Sequence, residues 1–240
     1  MKIRLFTIPN MLTLANLICG SLAVVSILTS ERYGYTFMLI VLAAVFDFFD
    51  GFVARLFRQS SPVGAELDSL ADVVSFGLAP ALVMMSLYGG GEALYLSGKW
   101  AEVGGYIPLI IVAFSALRLA KFNIDTEQTH DFIGLPTPAC ALFCASLGLL
   151  YPKGVVLPSE AILLISVVMA YLLILPMKMF SLKFYGYCWR GNEVKFTFLA
   201  ISLILLAIWK LDAIVLIIPL YVVISMLVSL VSKMSSKAGE

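Results

Sequence analysis

Apolar residues fill this chain in runs of roughly 18 to 25, each long enough to cross a hydrocarbon core of about 30 Å as a helix. The pattern predicts helices over 8–29 and 35–56, and a third opening at Pro62 and running to about 87. Ser61 before Pro62 supplies an N-cap followed by proline at the first helical position. Gly89-Gly90-Gly91 opens a loop that continues through Gly98, Lys99 and Gly104-Gly105, and a fourth helix follows over 106–122. After a polar loop over 125–131, Gly134-Leu135-Pro136-Thr137-Pro138 opens a fifth that ends near 151. A sixth spans 159–180 and is bent or ended by Pro176. A polar, basic segment over 181–194 precedes two more helices, 195–208 and 213–231, and a disordered tail from 232.

The expectation is therefore an all-α, polytopic membrane bundle of about eight transmembrane helices. Its 240 residues read as one integral-membrane domain, with a core over about 8–180 followed by the basic loop, two helices and the tail. Composition agrees, since 61% hydrophobic residues, 13% charged residues and a mean hydropathy of +1.01 lie far from a soluble domain. The basic start resembles a secretory signal, but the apolar run over 11–28 is long for one and lacks a small-x-small cleavage site, so a retained first span is expected.

Net charge is only +1, whereas the placement of charge is informative. Lys2, Arg4, Arg55, Arg58, Arg118, Lys121, Lys178, Lys183, Arg190, Lys195, Lys233 and Lys237 fall on one side, against Arg32, Lys99, Lys153 and Lys210 on the other. By the positive-inside rule both termini are cytoplasmic, as is the loop holding Ser60 to Pro62. Cys19, Cys140, Cys144 and Cys188 form no CxxC pair and His130 is alone, which favours packing over metal ligation, although Cys140 and Cys144 share a face.

The stretch from Phe46 to Val73 breaks the apolar pattern with Asp47, Asp50, Arg55, Glu66, Asp68 and Asp72. Asp47 and Asp50 are three apart and Asp68 and Asp72 four apart, so each pair lies along one helix face. From the helical rise, Asp50 and Asp68 lie roughly 10 Å and 9 Å from the cytoplasmic ends of their helices, and Asp47 and Asp72 roughly 15 Å. The hairpin should hold four carboxylates level in pairs. An ionised aspartate at a helix centre costs about 2.5 to 3.5 kcal/mol in a membrane, so four together require positive charge between them. Arg55 supplies one; all-oxygen donors suit Mg²⁺ or Mn²⁺, and such ions commonly complete their shells with phosphate oxygens.

Gly51, Ala54, Gly64 and Ala65 leave room for a ligand or serve close helix packing. On the first helix Asn10, Thr13 and Asn16 share one face, either as interhelical hydrogen-bond donors or as the polar wall of a site.

Read as D-x-x-D-G-x-x-A-R-x(8)-G-x(3)-D-x(3)-D, the residues Asp47, Asp50, Gly51, Ala54, Arg55, Gly64, Asp68 and Asp72 match every fixed position of the CDP-alcohol phosphotransferase signature. The chain resembles that family as far as about residue 150, through Pro9 to Gly20, Asp68 to Ala81, Arg118 to Asn123 and Phe132 to Pro138. It is similar to the members whose acceptor is serine. Lys121 departs from the arginine common in relatives.

The resemblance implies transfer of the phosphatidyl group from CDP-diacylglycerol to L-serine, at the cytoplasmic face of a bacterial inner membrane. It implies two divalent ions, Mg²⁺ or Mn²⁺, held by Asp47, Asp50 and Asp68 with Asp72 at the edge, and Asp72 as general base. Gly51, Ala54, Arg55, Ser61 and Gly64, with Asn10 and Thr13, would bind CDP-diacylglycerol. Arg118 and Lys121 would bind the acceptor or the transferred phosphate; an inside-positive anchor is the other reading of that pair. CDP-diacylglycerol, serine and membrane lipid are the implied partners, with no nucleic acid, and a homodimer is open to it. Two alternatives stand: the same chemistry with glycerol 3-phosphate or inositol, and an ion-coupled transporter.

Overall fold

The computed structural model describes residues 5–58, 61–124, 132–179 and 192–237. The predicted loop over 125–131, most of the basic segment with Lys183 and Arg190, and the residues Lys2, Arg4, Ser60, His130 and Cys188 lie outside them.

Thr7 caps α1 (Ile8–Ser30) by accepting from the Asn10 amide, and Glu31 ends it in the left-handed conformation at φ 46°. Only two residues separate it from α2 (Tyr33–Leu56), so the pair folds back as an antiparallel hairpin and packs along its length. Ser61 caps α3 (Pro62–Asp72) through a 3.0 Å bond from the Gly64 amide, with Pro62 at the first position as the sequence indicates.

The predicted third helix is one continuous helical stretch from Pro62 to Gly90, but it is not uniform. A π turn, Val73–Leu78, separates α3 from α4 (Ala79–Gly90). Such turns widen the helix locally and recur at functional sites. Here the turn begins directly after Asp72.

The loop expected around Lys99 contains a short helix, α5 (Lys99–Gly104), and a 3-10 turn leads into α6 (Ile110–Ile124). After α7 (Thr137–Leu150), α8 (Ser159–Ile174) stops before Pro176 rather than reaching residue 180. Released from the helix, the chain forms a two-residue antiparallel ladder between β1 (Phe132–Ile133) and β2 (Lys178–Met179). Gly134, at φ +78°, lies so close to the end of α8 that a Cβ would sit 2.4 Å from the Leu173 carbonyl oxygen. Glycine is required there. α9 (Glu193–Trp209) and α10 (Ile214–Lys237) complete the fold, and the tail expected to be disordered from 232 is helical to Lys237.

Among the described residues five helical stretches are long and apolar enough to cross a membrane, against the eight expected. One of the five, Glu193–Leu230, contains both α9 and most of α10, while α7 and α8, at 14 and 16 residues, are shorter than a usual span. Phe37, Ile40 and Phe76 are wholly buried where α1, α2, the π turn and α7 meet; Met84, Ile111, Ile162 and Leu173 fill a second core among α4, α6 and α8. Phe48, Phe49 and Phe52 face outward from α2, as lipid contact demands.

Candidate active site

The acidic hairpin is the meeting point of α1, α2 and α3. Asp47, Asp50 and Asp68 each offer a carboxylate oxygen within 4.8 Å of the others. One oxygen of Asp68 is buried and has no hydrogen-bond partner. An oxygen-only trio with an orphaned acceptor fits a hard divalent cation.

Pairing by depth alone does not describe the arrangement. Asp72 lies outside the trio and is instead held from α1, where Asn16 Nδ2 donates to its Oδ1 at 3.1 Å. Helical rise fixes height along the axis, but contact with α1 decides which neighbour a side chain meets. The same helix tethers the trio, since Thr13 Oγ1 donates to Asp50 Oδ2 at 2.6 Å. Asp50 and Asp72 are both only 6% exposed.

Beside the trio opens a cavity of about 440 Å³, lined by Asn10, Thr13, Gly51, Ala54, Arg55, Ser61 and Gly64 together with Asp50 and Asp68. All seven residues assigned from sequence to the nucleotide lipid therefore meet at one place. Ala65, the fourth of the small residues expected to leave room for a ligand, also lines it, as do Pro9 and Phe122, which were not foreseen; Phe122 arrives from α6, far away in sequence. Both readings of the α1 polar face hold at once, because Thr13 is hydrogen-bonded across helices and also walls the cavity.

The small residues divide. A Cβ on Gly51 would meet nothing nearer than Arg55 Nη1 at 3.9 Å, so that position faces open space. A Cβ on Gly64 would press on Asn10 Oδ1 at 3.1 Å and Ser61 Oγ at 3.2 Å, which is closer to packing.

Arg118 and Lys121 part company. Arg118 is half-buried, donates from Nη1 to Thr137 Oγ1 at 3.3 Å and lies within electrostatic reach of Asp72, with its Nε buried and unpartnered. Lys121 is exposed near the end of α6. Asn123, two residues on, bonds Ser69 of α3 at 2.9 Å and ties the two helices beside the cavity.

Comparison with known proteins identifies the family. The family model described as CDP-alcohol phosphatidyltransferase matches residues 6–175. A protein of Bacillus subtilis (strain 168), named CDP-diacylglycerol–serine O-phosphatidyltransferase, is 37% identical over 145 residues, covering 60% of this chain and 76% of its own. Proteins of the same name from Methanocaldococcus jannaschii and Helicobacter pylori (strain J99) are 40% and 35% identical over 139 and 140 residues, each covering 58% of this chain. The matched stretch spans 59% and 55% of those two relatives, little more than half their length. With more than half of its residues under the family model and the acidic trio in place, the chain belongs to the CDP-alcohol phosphatidyltransferase family.

Proposed function

We propose that the chain transfers the phosphatidyl group of CDP-diacylglycerol to the hydroxyl of L-serine, giving phosphatidylserine and CMP. The observation that carries this reading is the trio Asp47, Asp50 and Asp68 at the edge of a cavity walled by small and polar residues from α1, α2 and α3. The choice of serine is supported by the names of the relatives.

In this reading Asp47, Asp50 and Asp68, with Asp72 at the margin, hold two divalent ions, Mg²⁺ or Mn²⁺. When bound, such ions neutralise the diphosphate and the charge that develops on departing CMP. Gly51 and Ala54 leave space for the nucleotide, and Arg55, Ser61, Gly64, Asn10 and Thr13 line the cavity around it. Asp72 takes the proton of the serine hydroxyl as the serine oxygen bonds to the phosphorus bearing diacylglycerol, while the bond from that phosphorus to the CMP oxygen breaks. Arg118 receives the serine carboxylate, and Lys121 adds positive charge at the approach. Positioning and electrostatics do most of the work in transfers of this kind.

The opening faces the cytoplasm of a bacterial inner membrane, with eight spans and both termini on that side, as the lysine and arginine bias favours. A single domain over 1–240 carries the reaction, and a homodimer is compatible with it. An acceptor panel tests the reading: purified protein, CDP-diacylglycerol, Mg²⁺ or Mn²⁺, and serine, glycerol 3-phosphate or inositol. Serine-dependent CMP release is expected; turnover with another acceptor alone would reject serine while retaining the chemistry, and no turnover with any of them would reject both.

A further inference from the structure

Asn16 is the third polar residue on the α1 face that carries Asn10 and Thr13, and it has no accessible surface. It touches the helix opposite at two points. Its Nδ2 donates to Asp72 Oδ1 at 3.1 Å, and its backbone carbonyl accepts from Ser75 Oγ at 3.1 Å. Asp72 is the last residue of α3 and Ser75 the third of the π turn, so the two bonds straddle the start of that turn. Gly20, one helical turn further along α1, permits the approach: a Cβ there would stand 2.6 Å from the Ser75 Cα.

A buried amide is costly unless its polar atoms are satisfied. The Asn16 Oδ1 has no hydrogen-bond partner, so the bond to Asp72 is the side chain's one compensation among the described residues. A residue selected for packing alone would be apolar here. An amide at this position makes sense as a fixed donor to a carboxylate, which holds one oxygen of Asp72 and leaves the other for a reacting hydroxyl.

We infer that Asn16 is a positioning residue that sets the orientation of Asp72 for proton transfer, with the π turn and Ser75 fixing the height at which the two meet. The inference rests on the proposed role of Asp72 as base. It separates the α1 polar face into two functions: Asn10 and Thr13 face the cavity, while Asn16 serves Asp72.

The test uses the full chain, purified with Mg²⁺ present. Asn16→Ala is expected to lower kcat by about 10- to 100-fold, the range typical of lost support and misplacement around a reacting group. The KM values for CDP-diacylglycerol and serine should stay as they are. Asn10→Ala, by contrast, should act mainly on the KM for CDP-diacylglycerol. If Asn16→Ala no longer binds CDP-diacylglycerol, the nearly isosteric Asn16→Asp is read in its place, with at least as large a fall in kcat, because its carboxylate repels that of Asp72. Near-normal kcat in the variant read, or loss of CDP-diacylglycerol binding in both, overturns the inference. Normal turnover in Asp72→Asn removes the base reading on which it rests; an inactive Asp72→Asn beside a normal Asn16→Ala removes the inference alone.

Discussion

Gly51→Ala separates a glycine kept for a ligand from one kept for packing. Gly51 lies inside α2, where glycine costs roughly 0.5–1 kcal/mol relative to alanine. The added methyl meets only the Arg55 guanidinium at 3.9 Å, an ordinary contact, so no overpacking penalty offsets that gain. The variant should be more stable by up to about 1 kcal/mol, a rise of about 2–4 °C in melting temperature for a chain of this size. The same methyl projects into the 440 Å³ cavity. One surplus carbon in a fitted pocket is worth about 1–3 kcal/mol, so KM for CDP-diacylglycerol should rise by about tenfold or more. Thermal melting in detergent and steady-state kinetics on one preparation measure both. A lower melting temperature with unchanged KM would show that Gly51 serves packing and that the cavity is not where the substrate binds.

Gly20→Ala should behave in the opposite way, because its Cβ would lie 2.1 Å from Ser75 Oγ and 2.6 Å from Ser75 Cα; a loss of at least about 1–3 kcal/mol in stability is expected by thermal melting. Thr13→Val keeps shape but removes the 2.6 Å bond to Asp50, which should cost about 1.5–3 kcal/mol in the same measurement. Lys153→Ala breaks the ion pair with Asp212, whose side chains are 56% and 27% exposed, and should change stability by no more than about 1 kcal/mol. Chelation of divalent cations should abolish turnover, and added Mg²⁺ or Mn²⁺ should restore it, as followed by CMP release.

Much of the hairpin was legible because the carboxylates repeat at helical spacing and Ser61-Pro62 marks a helix start chemically. Spacing puts Asp47 and Asp50 on one face of α2, whereas the trio they form with Asp68, with Asp72 at the edge, was legible through the family signature. The hold on Asp72 was not legible. It depends on contact with Asn16 across 56 positions of sequence. The π turn that follows has no compositional mark, since Val73 to Leu78 reads like any apolar helix. Nor does local sequence bring Phe122 to the cavity or separate half-buried Arg118 from exposed Lys121, three residues apart on one helix. The end of α8 was half legible: Pro176 announced a break, but not that the freed strand would pair with residues 132–133. Hydropathy reads eight apolar runs where five stretches of the described residues meet the length of a usual span, because α7 and α8 are apolar but short and α9 and α10 fall within one stretch.

The central claim is that the trio and its cavity join a lipid-borne phosphate to serine. Isotope-labelled serine, incubated with the purified chain, CDP-diacylglycerol and Mg²⁺ or Mn²⁺, measures it most directly. The account predicts label in the lipid phase in one-to-one proportion with CMP, and loss of both in Asp68→Asn. CMP released without lipid-bound serine, or undiminished transfer by Asp68→Asn, would contradict it.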